Sequence, residues 1–502
     1  TNEPLPGVSV VIKGTTKGTV TDLDGKYSIE VPNDNATLVY SYIGMTTQEQ
    51  GVAGKSNIDV KLQAGVELET MTVTALGLET NKDQLGTAQT TVDGGALVGT
   101  GEPRLIENLS GKSAGVTITQ ATGDPGAGSA IQIRGPSSIT GDNQPLIVID
   151  GVPMDNSSTY GTASGGSGFS GTTNSGLDGV TQQSRLNDLN PNDIESVEVI
   201  RGASAAALWG SRALNGVIMI TTKSGKANSA KKFSVNLNSS IAWDQVNRKI
   251  PLQTKYGQGI SQNYVQGSAY SWGDKIEDRA GGEDNYITGG ASFVDNRSGN
   301  TYYPIASGDF DGDDHGGKRS RTLYDPYDII FKTGFTTDNS VNFSTGNENG
   351  SVYISFGDLR VDGVIKDNST YNKNNFLLSA DQRLNQYWKV YGTVQYIRTQ
   401  SNRIQMGSNL NGLFLGGLRS APDFNQEDYE GTYTDSEGNV FLNRQRAYRN
   451  PLGASTNSIY DNPRWMMNNI TSEAIVNRSL GNLNLEFEPL SWLNILARGG
   501  YD

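Results

Sequence analysis

Cysteine is absent from the 502 residues, and histidine occurs once, at His315. Disulfides, thiolate metal sites and histidine-centred nucleophilic triads therefore have no material to be built from. Positive charge is in deficit: 40 Lys and Arg stand against 53 Asp and Glu, a formal charge of −13. That excludes blanket neutralisation of phosphates, so no nucleic-acid partner is expected. No stretch approaches the roughly 18–20 apolar residues of a membrane helix. A transmembrane β-barrel stays open, because its alternating strands score low on hydropathy. Thr1-Asn2-Glu3-Pro4 is no signal peptide; either one was removed or the numbering starts inside the chain. No Gly-x-Ser-x-Gly elbow occurs. Gly54-Lys55-Ser56 and Gly111-Lys112-Ser113 lack the earlier glycine of a phosphate loop, with Glu49 and Ile106 standing there. The chain is read as not an enzyme.

What is abundant is glycine (62 residues) and tyrosine (22), with a hydrophobic share of only 35%. That composition suits short strands, tight turns and long polar loops, a mainly β chain of several domains. In residues 1–63 the apolar runs are Val8–Ile12, Tyr27–Val31, Thr37–Tyr42 and Ile58–Leu62. Turn residues separate them, and the spacing predicts a small β-sandwich. Asp22-Leu23-Asp24-Gly25 reads as a plain hairpin turn. A linker over 64–82 holds the β-prone segment Met71, Thr72, Val73, Thr74 and Ala75 between acidic and small residues. Such a segment can add a strand to another protein's sheet edge. The plain alternative is the last strand of one domain or the first of the next.

Residues 83–227 mix helical and strand patterns, the mark of an α+β domain. Leu105–Leu109 reads as a helical turn. Gly115–Ile118, Ala130–Arg134 and Pro145–Asp150 read as strands. Asp193 to Ile200 starts as helix after Asn190-Pro191-Asn192 and runs into a strand; Ala203–Leu208 is short and helical; Val217–Thr222 is a buried strand. The glycine-rich insert 161–179 is a flexible loop.

From 228 to 502 the pattern turns to period two. Phe233, Val235, Leu237, Ile241 and Trp243 alternate with polar residues over a barrel-strand length. Similar stretches fall at 337–347, 350–363, 372–386, 388–401, 470–487 and 490–502. Their connections alternate between long polar segments (244–336, 402–469) and very short turns at Glu348-Asn349, Gln386-Tyr387 and Glu488-Pro489. That asymmetry belongs to bacterial outer-membrane barrels. Tyr387, Trp388, Tyr391, Tyr396 and Trp492 are candidates for an interfacial aromatic girdle. Seven strands cannot close a plugged barrel, which takes about 22. The expectation is a chain of about half a protein, with the C-terminal part of the barrel missing.

Three sets of motifs carry family resemblance. Pro4–Val8, Gly18–Asp22 and Gly25–Tyr27 resemble the carboxypeptidase-regulatory-like (transthyretin-like) domain, whose usual first strand is missing before Thr1. By position, Met71–Ala75 resembles a TonB box. The plug-domain motifs of SusC-like and RagA-like TonB-dependent transporters are resembled by Leu109–Val116 with Gly111, Lys112 and Gly115, by Ile133-Arg134-Gly135, and by Pro145–Pro153 with Asp150 and Gly151. The block Ile194–Lys223 adds Arg201, Gly202, Gly210, Arg212, Asn215 and Gly216. The family commonly has Tyr where Trp209 stands and Lys-Asp at Arg201-Gly202. The resemblance implies an outer-membrane transporter with its N-terminal domain and plug on the periplasmic side. It implies TonB as energising partner, a SusD-like surface lipoprotein as lid, and an oligosaccharide or oligopeptide cargo.

One local candidate for metal lies apart from these motifs. Asp309, Asp311 and Asp313, around Gly312, place carboxylates at alternate positions and are a calcium candidate, set against a plain solvated loop. Two other functions compete with import: a secreted β-rich adhesin or scaffold, and a TonB-linked signalling receptor. Tyr270, Trp272 and Trp465 in the long loops are candidates to stack on sugars, or plain packing.

Overall fold

The computed structural model describes residues 4–13, 15, 17–33, 36–42, 45, 47–62, 71–73, 79–81, 89–98, 104–120, 123–138, 143–154, 185–201, 209–225, 233–309, 316–403, 412–456, 460–490 and 492–502. The chain divides into two compact units, Thr1–Thr87 and Ala88–Asp502.

The first unit is built on a four-stranded antiparallel sheet in the order Gly18–Val20, Ser9–Ile12, Thr37–Ser41, Gln48–Gly51. Val8, Val10, Ile12, Leu38 and Tyr40 form its core. Two expected strands, Tyr27–Val31 and Ile58–Leu62, are not in the ladder, although Tyr27, Ile29, Val31, Ile58, Val60 and Leu62 still pack on that core. Their alternation reports side-chain packing rather than backbone pairing. The missed strand, Gln48–Gly51, is a largely exposed edge, and its Gln-Glu-Gln-Gly sequence carries no apolar signal. Met71–Val73 pairs antiparallel with Glu79–Asn81 in a separate two-stranded ladder.

The second unit holds an α+β domain seated on a strand wall. Its five-stranded sheet runs Val152–Met154, Leu146–Ile149, Val217–Thr222, Ile194–Ile200, Gln89–Asp93. Val217–Thr222 lies at its centre, parallel to Leu146–Ile149 and antiparallel to Ile194–Ile200. A central strand covered on both faces reads as a continuous apolar run, and Val217-Ile218-Met219-Ile220 is one. Short helices Gly94–Val98 and Leu105–Leu109 pack on it through Leu97, Leu105, Ile106 and Leu109. Asp193 ends a 3-10 turn, Pro191–Asp193, and Ile194 begins the strand. Ala203–Leu208 and the insert 161–179 lie outside the described residues.

The wall is a seven-stranded antiparallel sheet in sequence order: Phe233–Asp244, Gly334–Asn347, Gly350–Asp362, Thr370–Arg383, Trp388–Arg403, Ser472–Leu490, Leu493–Tyr501. Its polarity is inverted relative to the plug-like sheet. Along Thr370–Arg383 the buried positions are Tyr371, Lys373, Asn375, Leu377 and Ser379, facing the seated domain. The opposite face exposes Leu237, Trp243, Phe343, Phe356, Val394 and Leu483. Polar-in and apolar-out alternation is the pattern of a barrel wall in lipid. No helix among the described residues is long and apolar enough to cross a membrane.

Turns and long connections segregate to opposite ends of this sheet. One end carries Glu348-Asn349, residues 384–387 and residues 491–492; the other carries the long connections. The last turn falls three residues later than the sequence suggests. Glu488-Pro489 sits instead at a register shift between Phe487 and Leu490, because Pro489 has no N–H for the ladder and a bulge accommodates it.

The long connections are not structureless. Ser292–Asp295 from the first pairs with Glu430–Thr434 from the second, inside a four-stranded sheet completed by Thr301–Tyr302 and Val440–Gln445. Helices Pro326–Ile330, Leu413–Leu418 and Pro463–Asn469 bury Ile330, Leu413 and Met467 together with Ile365. The two loops fold as one platform.

Candidate functional site

The seam between seated domain and wall concentrates buried polar chemistry on one short segment. Residues 185–193 form two 3-10 turns, Arg185–Asp188 and Pro191–Asp193. Pro191 suits a helical first position, and the Asn190 side chain caps the second turn by accepting from Asn192 N at 3.0 Å. Leu186 and Leu189 point into the apolar core; between them the Asn187 side chain donates to the Gly126 and Ala127 carbonyls within the domain, and Asp188 meets the wall. Asp193 is 1% exposed and accepts from Tyr353 Oη at 3.2 Å, Asn375 Nδ2 at 2.9 Å, and Ser355 Oγ. Lys373 Nζ donates to the carbonyls of Asn187 and Leu189, each at 2.9 Å. Arg478 pairs with Asp188 at 3.2 Å and with Asp502 at 2.5 Å. Three wall strands thus grip one segment through side-chain donors and acceptors.

Burial raises the carboxyl of Asp188 above the ordinary range, opposed by the charges of Arg478 and Lys373. Burial likewise raises Asp193, opposed by its bonds from Ser355 and Tyr353. The apolar share of the seam is small: Ile397 and Leu480 are the buried wall residues that join the core. A seam made mostly of hydrogen bonds and paired charge can exchange its partners for water, which an apolar seam cannot do without losing the full transfer energy.

Asp150 and Gly151 make a second contact. They are the central residues of the two-residue hairpin between Ile149 and Val152, both at positive φ (47° and 82°), as a type I′ turn requires. Asp150 accepts from Thr222 N and Oγ1, both at 2.8 Å, and from the wall residue Thr393 at 3.3 Å. Burial raises its carboxyl, with the Thr222 and Thr393 bonds and the Arg498 charge pulling down. The other motif residues serve local folding. Gly115 and Arg134 meet through the Arg134 N–H on the Gly115 carbonyl at 2.9 Å, and both have positive φ, as do Gly111 and Gly135. Lys112 reaches the Ala96 carbonyl. Asn215 ties its strand to the preceding loop through Ser137 and the Gln144 carbonyl, the latter at 3.2 Å. Gly216 has φ +94°, and a Cβ there would lie 3.1 Å from the Ile200 carbonyl. Gly210 also has positive φ, Arg212 is exposed and Arg201 is half-buried. Gly202 lies outside the described residues, as do Thr74, Ala75, Asp311, Asp313 and His315; Asp309 is described and exposed.

The residues predicted from motifs therefore do not converge on one pocket. Those that do converge, Asp188, Asp193, Lys373 and Arg478, were not singled out. For Lys373 and Arg478 the signal was a charged residue at an inward position within an otherwise amphipathic strand; Asp188 and Asp193, in 3-10 turns, carried none.

In the loop platform Arg279 is bidentate on Asp274 (2.6 and 2.7 Å) and also donates to Asp423 at 2.7 Å, all three buried. Burial pulls the Arg279 guanidinium down, but the two carboxylates outweigh it and hold it above its ordinary value. Arg446 lies over the rings of Tyr302 (3.7 Å) and Phe424 (4.3 Å). Tyr270 and Trp272 are exposed here, and Trp465 is half-buried. In the girdle set, Trp388 stacks on Phe487 at 4.2 Å, while Tyr387, Tyr396 and Trp492 are exposed.

A domain filling the inner face of an amphipathic strand wall defines a class, the plugged β-barrel receptor. Residues 81–217 match the TonB-dependent Receptor Plug Domain family, and residues 1–77 match the CarboxypepD_reg-like domain family. TonB-dependent receptor P3 of Formosa agariphila is 31% identical over 86% of this chain and 35% of its own length. TonB-dependent receptor SusC of Bacteroides thetaiotaomicron is 32% identical over 76% of this chain and 31% of its own length. The chain thus spans about a third of the length of these curated relatives. The RagAB peptide importer in its closed-closed state shares the fold, with a TM-score of 0.56 at 21% identity over 83% of this chain and 40% of that chain. This chain thus carries a TonB-dependent receptor plug domain and is similar to TonB-dependent receptors of the SusC type, with the fold of the RagA type. Receptors of this type are outer-membrane proteins, and they are not enzymes.

Proposed function

We propose that the chain works in TonB-dependent import of a nutrient across the outer membrane, as the plug and first wall strands of a gated pore. A wide barrel leaks unless filled, and the outer membrane has no nucleotide pool, so the work of opening must arrive mechanically from the inner membrane. The observation that carries this reading is the seat of residues 185–193. It is buried, specific and polar, so it holds the plug in register yet can be replaced by water when the plug is pulled. An adhesin has no use for a domain seated in this way.

On the same reading TonB grips Met71–Ala75 by strand addition. Met71–Val73 already lies in a two-stranded ladder, which leaves its second edge without a strand among the described residues. The platform made by the two long connections is where a SusD-like lipoprotein lid and the cargo, an oligosaccharide or oligopeptide, would meet the receptor. Deleting Met71–Val73 from the whole receptor tests the proposal. Uptake is expected to fall to background while cargo still binds; undiminished uptake would overturn it.

A further inference from the structure

We infer that the loop platform carries a binding subsite for an acidic sugar unit, a carboxylated saccharide. A cavity of about 270 Å³ opens among Arg419, Gln426, Tyr448, Arg449, Tyr460 and Asp461. Apart from Ala269 of the first long connection, its lining comes from the second, and it is remote in sequence from the plug. The guanidinium carbons of Arg419 and Arg449 both lie 4.3 Å from the centre of the Tyr460 ring. That ring holds two cations side by side that would otherwise repel, so their positive charge is presented as a pair. Arg449 makes no ion pair among the described residues. The second observation is independent. Gln426 is 2% exposed, and its side-chain oxygen accepts no hydrogen bond. A buried acceptor left without a donor costs about 1–3 kcal/mol, so a ligand that supplies one recovers that penalty.

The chemistry asked of an occupant is then definite. It must bring an anion to Arg449, beside Arg419, and a neutral donor to Gln426. Two cations and one carboxylate leave the lining net positive; a peptide C-terminus also brings a carboxylate, but not the adjoining hydroxyl donors of a sugar ring. A uronate residue matches: its carboxylate faces Arg449, and a hydroxyl donates to Gln426. The apolar part of the lining is limited to Ala269, Phe424, Tyr448 and Pro463, among polar residues.

The subsite rests on the import reading for its purpose, but binding is measured without transport. The test titrates the full-length receptor in detergent with a galacturonate trisaccharide, its methyl ester and triglutamate. The acid is expected to bind at least about tenfold more tightly than the uncharged ester, as a charge-assisted contact would require. Arg449→Gln should abolish that preference while Arg449→Lys keeps part of it. Equal binding of acid and ester by the unaltered protein, tighter binding of triglutamate, or no binding of any probe would each overturn the inference, whether or not the variants fold. Uronate binding with uptake intact after deletion of Met71–Val73 would sink the import reading alone. Loss of uptake on that deletion, with no uronate binding, would sink the subsite alone.

Discussion

At the plug seat, two buried acids face donors that come from a different domain; in the loop platform, buried acids face a guanidinium and a lysine from the same folded layer. Asp188 and Asp193 sit above the ordinary carboxylate range because burial outweighs their partners. Asp284 goes the other way. Burial would raise it, but the Lys318 charge and bond at 2.7 Å, with the backbone N–H groups of Ser320 and Arg319, hold it below that range. The lesson is that buried charge serves two purposes in one chain. Fully compensated, it fixes a platform; under-compensated, it leaves a contact that can be given up.

The largest expected effect is in the platform. Arg279→Ala leaves Asp274 and Asp423 buried without their cation, a loss of about 3–5 kcal/mol. Urea unfolding should register it, and limited proteolysis should cut within 244–336 and 402–469. If the loss is small, the platform is not held by this network and the contrast fails. At the seat, Lys373→Met takes the side-chain donor from the Leu189 carbonyl and leaves the Asn187 carbonyl only Tyr371 Oη at 3.4 Å, at about 1–3 kcal/mol. Hydrogen exchange should quicken over 185–193 while the platform is unchanged; exchange that spreads to both would mean the two seams are coupled. A control inside the plug, Gly216→Ala, forces an L side chain into φ +94° and should cost about 1 kcal/mol or more of plug stability, without a selective effect on the seat.

The smallest effect separates the seams by sign. Asp188 and Asp193 have raised folded values, so the native state holds more protons than the unfolded one between the ordinary value and the raised one. Seat stability therefore falls as pH rises through that window. Asp284 has a lowered folded value, so its contribution is present above the ordinary carboxylate value and is lost as pH falls through the folded one. On acidification, protection factors corrected for the intrinsic exchange rate at each pH should rise at 185–193 and fall at 318–320. The same direction at both places would break the comparison.

The wall was legible because a barrel strand alternates over a dozen residues, and seven such runs stand out even at low hydropathy. The plug sheet was legible for the opposite reason, as Val217–Thr222 and Pro145–Asp150 are continuous apolar runs. What escaped notice had no local pattern. Gln48–Gly51 is an edge with little to bury, and the platform strands Ser292–Asp295 and Glu430–Thr434 are four and five residues long, made by pairing across more than a hundred positions of sequence. The seat was invisible for a related reason. Lys373 and Arg478 look like ordinary polar positions of alternating strands until the register places them against Asn187, Leu189 and Asp188.

Because Ser292–Asp295 is paired with Glu430–Thr434, the two long connections share one sheet and cannot be inherited separately. Exchanging one of them between relatives splits a ladder and strands half of it against a foreign edge. The unit that evolution, or a protein engineer, can swap to change what such a receptor recognises is the pair of loops, together with the four strands they hold in common.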